Sequence, residues 1–227
     1  MSQTDDSLSA LYEATSERTL AAWQRAPDCG DIMLQGYYDP HKLALASGIQ
    51  PPLPTLVASL RQQLAIRASG DTLADVMPAN GLHFTFLPIT LPLYTTAEPP
   101  DDMSTLLTLW QRWRQHSVRI SELRLVALPG QILLAGIPDE KSQQARQQFC
   151  DALLASPWRT LLLDRHAHTP LPPPFWHTTL LRYRAQYLPP SLRRFFLANR
   201  QQRYSSVEGM LKLAQVNYNW TRVLPIE

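Results

Sequence analysis

The sequence predicts an α+β fold made of two strand-and-helix lobes, and three observations favour it. Two strand-like segments, 81–89 and 175–184, each carry a His-x-Thr pattern. Segments with helical spacing of apolar residues alternate with strand-like runs along the chain. Pro129-Gly130 joins two of these runs by a two-residue turn, which indicates an antiparallel hairpin rather than a parallel doubly wound sheet. We therefore expect a single bilobal domain over residues 1–227, with 1–30 as an N-terminal helical extension.

The first half of the chain alternates between helix and strand signals. A helix is predicted over 6–26, because this stretch contains neither Pro nor Gly. A strand is predicted over 31–38, ended by Asp39-Pro40. Apolar residues then recur at helical spacing over 53–67, which predicts a second helix. The first motif strand, 81–89, follows.

The second half adds a hairpin and further helices. Asp101 or Asp102 is positioned to cap a helix whose apolar face includes Trp110. Asp139 begins the helix that follows the hairpin, and a loop-rich, proline-containing approach over 158–174 leads into the second motif strand. The remaining predicted elements are hairpin strands over 120–128 and 131–137, a basic helix over 190–203, and closing strands over 207–217 and 221–226.

The composition is that of an ordinary globular protein. Apolar residues make up 44% of the chain and charged residues 18%, with a net charge of +2; this excludes a disordered chain and one that coats nucleic acid through bulk charge. Cys29 and Cys150 are too few for a disulfide framework and lack metal-ligand spacing. No apolar run approaches bilayer length, and the polar, acidic N-terminus is unlike a signal peptide. We expect a cytoplasmic protein without a membrane partner, and a monomer is the default expectation.

Each motif strand places an imidazole beside a hydroxyl. Side chains alternate between the two faces of a strand, so His83 shares a face with Thr85, and His177 shares a face with Thr179. Side by side, the two strands would line a pocket with two proton carriers and two hydroxyl donors, without a carboxylate or a metal. The competing interpretation is two partly buried histidines beside threonines that simply favour β structure.

The sequences His-Phe-Thr-Phe at 83–86 and His-Thr-Thr-Leu at 177–180 resemble the two signature motifs of the two-histidine phosphoesterase superfamily, which includes LigT-like RNA cyclic phosphodiesterases. The resemblance extends from about Asp31 to the C-terminus. It implies two lobes related by pseudo-twofold symmetry, with a groove between two antiparallel sheets. One residue departs from the family pattern, since Thr178 stands where a hydrophobic residue is usual.

The motifs and the resemblance together predict a metal-independent phosphodiesterase that acts on a nucleotide or an RNA end, with a 2′,3′-cyclic or related phosphate as its substrate. One imidazole would take a proton from the nucleophile while the other protonates the leaving oxygen, and the threonine hydroxyls would hold the developing charge. No cofactor is implied. Two alternatives stay open: a non-catalytic module that holds a nucleotide or RNA end, and a 2′–5′ RNA end-joining activity. The sequence assigns neither the base and the acid nor the substrate.

Four residues near the motifs are candidates for substrate binding. Strand parity puts Tyr183 on the face of His177, which makes it the preferred aromatic. The same parity points Arg182 to the opposite face, from which strand twist would have to bring it to the groove rim. Tyr37 and Tyr38, on the predicted first strand, are candidates for stacking on a base, with packing in the core as the alternative.

Two further stretches have competing interpretations. The basic helix offers a surface for an RNA backbone, although such a run is usually a solvated face. Its arginines are Arg193, Arg194, Arg200 and Arg203. His166-Ala167-His168 invites a metal site, but Asp164 is the only carboxylate nearby, which favours surface loop histidines.

Overall fold

A computed structural model describes residues 3–36, 38–96 and 103–226 of the chain. Its strands are β1 (Ala44–Ile49), β2 (Ala74–Val76), β3 (Phe84–Pro88), β4 (Ser117–Leu128), β5 (Gln131–Pro138), β6 (His177–Tyr183), β7 (Val207–Met210), β8 (Lys212–Val216) and β9 (Val223–Pro225). Its helices are α1 (Gln3–Arg25), α2 (Thr55–Arg67), α3 (Met103–Trp110), α4 (Glu140–Leu154), α5 (Arg159–Arg165) and α6 (Pro190–Asn199).

The predicted fold class is confirmed, because the helices surround two antiparallel sheets. One sheet has four strands in the order β3-β1-β8-β9, and the other has five in the order β2-β6-β5-β4-β7. Every pairing in both sheets is antiparallel. Each sheet contains one motif strand: β3 is an edge strand, and β6 lies inside its sheet. Within the described ranges, every helix is too short or too polar to cross a bilayer.

The predicted hairpin at Pro129-Gly130 is confirmed, and its two strands are neighbours in the five-stranded sheet. β4 and β5 pair from Leu128↔Gln131 outward, so the two intervening residues form the turn. Helix α1 lies against this hairpin, and its polar side chains bond to the hairpin backbone. The Thr19 hydroxyl donates to the Ala127 carbonyl at 2.9 Å, and Trp23 Nε1–H donates to the Pro129 carbonyl at 2.9 Å. The predicted helix over 6–26 is therefore packed on the sheet.

One hydrophobic cluster joins the two sheets behind the motif strands. Phe86, which follows Thr85 in β3, meets the Trp176 ring edge-on with 5.8 Å between centroids. Trp176 directly precedes His177, so a single aromatic contact links the two motifs inside the core. On another side of Trp176, the Arg146 guanidinium lies 3.8 Å from the ring centroid and donates to the Phe175 carbonyl at 3.2 Å.

The strand predicted over 31–38 is wrong. Ile32 forms only an isolated bridge to Ala185, and Leu34 is 96% exposed, so the described residues of this stretch, 31–36 and 38, have no sheet face against which to bury their apolar side chains. The first strand is instead β1, whose residues are almost all buried. Small residues gave that segment too weak a pattern to be recognised.

Two other segments differ from the prediction or are not covered by it. The approach over 158–174 contains helix α5, which is held to the core by the fully buried Leu162. The short strand β2 was not predicted, since three residues are too few to show a period. The proposed caps Asp101 and Asp102 lie outside the described residues.

The helix predicted to start at Asp139 is confirmed as α4, and Asp139 is its N-cap. The contribution of this cap to the free energy of unfolding can be tested. The Asp139 carboxylate accepts from the Ser142 backbone N–H at 2.7 Å. Asp139→Ala should lower the free energy of unfolding by about 1 kcal/mol, because it removes this cap. Urea denaturation measures the change. Asp139→Asn keeps an acceptor and should stay within a few tenths of a kcal/mol of wild type; an Ala variant as stable as the Asn variant would contradict the capping role.

Candidate active site

A cavity of about 390 Å³ lies between the two sheets. Side chains of β1, β3 and β8 line it from one sheet, and side chains of β5 and β6 line it from the other. The loops over 38–42 and 165–173 and the segment 217–220 complete the wall. The cavity therefore lies where the resemblance placed a groove.

The structure brings both His-Thr pairs to this one cavity. His83, Thr85, His177 and Thr179 all line it. The two imidazoles are close enough for the charge of His177 to lower the pKa of His83. Thr178, the residue that departs from the family pattern, points away into the core, where it is 1% exposed and its hydroxyl donates to the Met77 sulfur at 3.6 Å.

Each motif strand contains one extra residue directly after its threonine. In β3, Thr85 lies opposite Gly48 whereas Leu87 lies opposite Ser47. In β6, Thr179 lies opposite Leu133 and Leu181 lies opposite Ile132. Such a bulge reverses the alternation of faces beyond it, so the next side chain to enter the cavity comes three residues after the threonine.

The bulge in β6 corrects the prediction for Tyr183 and Arg182. Simple parity put Tyr183 on the cavity face, but the structure places it in the core at 4% exposure, where burial and then Asp71 raise its pKa. Arg182 lines the cavity in its place. Pro88 occupies the corresponding position of β3, three residues after Thr85.

The His83 ring is held by two neighbours. Its Nδ1 lies 2.7 Å from the Gly81 carbonyl oxygen; because a carbonyl only accepts, Nδ1 carries the proton, and in the neutral ring Nε2 is left with a free lone pair. The ring stacks on Trp220 with 5.2 Å between centroids and 9° between planes. Gly48 makes this stack possible, since a Cβ there would lie 2.7 Å from the Trp220 ring. Sequence reasoning missed Trp220.

Both catalytic candidates are neutral imidazoles in the free protein. Burial lowers the pKa of His83 from 6.5 to about 3; the Gly81 carbonyl opposes this, and the charges of Arg182 and His177 add to it. Burial lowers the pKa of His177 to about 4, and the charges of Arg182 and Arg146 lower it further. A negatively charged ligand would reverse the electrostatic part of both shifts.

Arg182 lies at the cavity rim within an aromatic cluster. The rings of Tyr38 and Tyr218 stack with 5.6 Å between centroids and 13° between planes. The guanidinium lies 5.5 Å from the Tyr38 centroid and 5.1 Å from that of Tyr218, and 4.0 Å from an Asp75 carboxylate oxygen. Tyr38 thus lines the cavity from a loop rather than from a strand, and Tyr37 lies outside the described residues.

His166 is a third histidine of the cavity wall, which corrects its interpretation as a surface residue. It is 7% exposed. Its Nε2 lies 2.9 Å from the Pro88 carbonyl oxygen and its Nδ1 lies 3.0 Å from the Thr169 hydroxyl. Both ring nitrogens are thus engaged with protein atoms, and the Nε2–H bond fastens the end of β3 to the loop after α5. His168 is exposed. No group of three metal-ligating side chains occurs in the part of the chain that the structure describes.

The predicted basic helix lines neither this cavity nor its rim. Arg193 is buried rather than solvated, and its guanidinium donates to the carbonyls of Leu188, at 2.6 Å, and Trp23, at 2.8 Å. Arg200 forms an ion pair with Glu17. The cations that do line the cavity, besides Arg182, are Lys42 and Arg165, with Asp39 as a nearby acid.

The chain is an α+β protein in which two antiparallel sheets enclose a cavity, and two His-Thr pairs line that cavity. No family model matches the chain, and no curated protein matches its sequence. Among solved structures, TT0787 of Thermus thermophilus is 13% identical and covers 81% of this chain and 95% of its own, with a TM-score of 0.51.

Two further structures are similar over comparable lengths. Escherichia coli LigT, solved as a complex with NADP+, is 16% identical over 82% of this chain and 96% of its own, with a TM-score of 0.45. The ATU0111 protein of Agrobacterium tumefaciens, of unknown function, is 12% identical over 85% of this chain and 90% of its own, with a TM-score of 0.44. At 13% identity, the similarity to TT0787 is one of fold.

The histidine environments predict an acid-shifted titration. In the free protein, NMR signals of the His83 and His177 rings should stay those of neutral imidazoles from pH 8 to about 5, because their pKa values lie near 3 and 4. The unfolded chain binds these protons near pH 6.5, so the associated stability is complete above that pH and is lost as the pH falls toward 4 and 3. Arg182→Gln should raise both pKa values. Midpoints near 6.5 in wild type would contradict this electrostatic description.

Proposed function

We propose that this protein is a phosphodiesterase that hydrolyses a 2′,3′-cyclic or related phosphodiester of a nucleotide or an RNA end by two-histidine acid–base catalysis. The single observation that supports it is the arrangement of two imidazoles and two threonine side chains around one cavity, with a guanidinium at its rim. The three cations and one carboxylate at the wall favour an anionic ligand.

We assign the base to His83 and the acid to His177. The Nδ1–H of His83 is committed to the Gly81 carbonyl, so Nε2 is the atom able to take a proton from an attacking water. That water forms the new P–O bond while the bond to one ribose oxygen breaks. Once the bound phosphate has raised the pKa of His177, this ring takes a proton from solvent and donates it to the leaving oxygen. Exchange with solvent then returns both rings to their starting protonation states.

The remaining side chains are suited to hold the charge that develops on the phosphate oxygens. Neither the Thr85 nor the Thr179 hydroxyl bonds to another described residue, so both are available as donors. Arg182 supplies a positive charge that lowers the pKa of both imidazoles. Preorganised donors of this kind stabilise the transition state more than the ground state. The base, the acid and the donors to the phosphate oxygens can all act without a bound metal.

Replacement of either imidazole tests the proposal. His83→Ala and His177→Ala should each lower kcat/KM for adenosine 2′,3′-cyclic phosphate by at least about 100-fold, because a general base or acid contributes about 10²–10⁴. The change is measured as release of the ring-opened nucleotide. The exposed His168→Ala is the matched control and should keep wild-type activity. Circular dichroism checks that all three variants fold.

Three outcomes would reject the proposal. Full activity of either the His83→Ala or the His177→Ala variant would contradict acid–base catalysis by this pair. Loss of wild-type activity on treatment with EDTA, with recovery on adding a divalent cation, would replace metal-independent hydrolysis by a metal-assisted reaction. Stoichiometric binding of the nucleotide without product would instead support the binding-module alternative.

A further inference from the structure

A second cavity adjoins the candidate active site at the aromatic cluster. It has a volume of about 230 Å³ and shares Tyr38, Arg182 and Tyr218 with the first cavity. Its other walls are Gly36, Pro40, the segment 72–75 and Arg184. The stacked tyrosines with Arg182 therefore form a partition between two adjacent cavities, and a ligand that occupies both cavities would cross it.

The charge of Arg184 is uncompensated in this second cavity. Its backbone N–H donates to the Leu73 carbonyl at 2.8 Å, which fixes the residue beside β2. Its half-buried side chain has neither a hydrogen bond nor an ion pair to any residue in the described ranges. Arg182 lies two positions away along the chain and lines the same cavity, so two arginine side chains contribute to its wall.

Asp75, the carboxylate of this cavity, is already engaged. One of its oxygens lies 4.0 Å from the Arg182 guanidinium. Burial raises the pKa of Tyr218, and the charge of Asp75 and a hydrogen bond to it raise that pKa further. Asp75 thus offsets Arg182 and orients Tyr218, and the positive charge of Arg184 remains for a ligand.

We propose that the second cavity is a subsite for a further phosphate of the substrate. The inference rests on the proposed function and narrows it: the preferred substrate is a dinucleotide or longer RNA end rather than a cyclic mononucleotide. The reacting phosphate lies between the two imidazoles, a base packs on the tyrosine partition, and the next phosphate binds Arg184. Guanidinium groups suit phosphate oxygens, and aromatic faces accept any base. The exposed Thr72 hydroxyl at the cavity wall adds a donor.

A comparison of two substrates on the full-length protein tests the subsite. The probes are adenosine 2′,3′-cyclic phosphate, and the dinucleotide ApA that ends in the same cyclic phosphate and carries one additional phosphodiester. Arg184→Gln should raise KM for the dinucleotide about tenfold relative to KM for the mononucleotide, since one charge-assisted contact is lost. The kcat ratio should change little. Arg114→Gln, an exposed arginine that lines neither cavity, is the control and should leave the ratio unchanged.

The outcomes separate this inference from the proposed function. Hydrolysis of both probes with equal KM, or an equal effect of Arg184→Gln on both, would overturn the subsite and leave the phosphodiesterase standing. If neither probe is hydrolysed, the proposed phosphodiesterase activity is contradicted. Binding of the two probes, measured by calorimetry, then still tests the subsite. Roughly tenfold tighter binding of the dinucleotide than of the mononucleotide, lost in Arg184→Gln, would support it; equal affinities would reject it.

Discussion

The candidate site depends on one backbone feature that occurs twice, the bulge after the threonine of each motif strand. Without it, the third functional position of each strand would alternate into the core. With it, Pro88 and Arg182 follow their His-Thr pairs into the cavity, while the bulged residues Phe86 and Leu180 are buried behind it. Phe86 then packs on Trp176, so the core contact that joins the sheets also fixes the separation of the motifs.

The electrostatics of the cavity follow from this geometry. Two imidazoles are desolvated together beneath the charge of Arg182, and burial is the largest cause of both low pKa values. Near pH 7 both rings of the free site are therefore neutral imidazoles. An anion that enters it neutralises part of the surrounding positive charge and allows one ring to be protonated. In the proposed mechanism, the substrate phosphate allows one ring to act as the acid, and Arg182, which contacts the tyrosine partition, supplies a positive charge to that phosphate.

Much of the fold was predictable, because local signals agreed with the global structure: the hairpin turn, the helix starting after Asp139 and the two His-Thr pairs all follow from residue spacing. The errors share one cause, which is that a single sequence does not show tertiary pairing. A bulge leaves no mark in the alternation of residue types. Strand parity therefore put Tyr183 on the cavity face and Arg182 on the opposite face, whereas the structure has the reverse. Trp220 is recognisable only once Gly48 is seen beneath it. The stretch over 31–38 had strand propensity, but its described residues form one isolated bridge and no strand.

The central claim is that one phosphate is held by both imidazoles at once, and a crystal structure of the wild-type protein with a nucleoside 2′-phosphate tests it most directly. We expect the phosphate between His83 and His177, with an oxygen within hydrogen-bonding distance of each ring and of the Thr85 and Thr179 hydroxyls. A phosphate bound to one ring alone, or bound outside the cavity, would contradict the account.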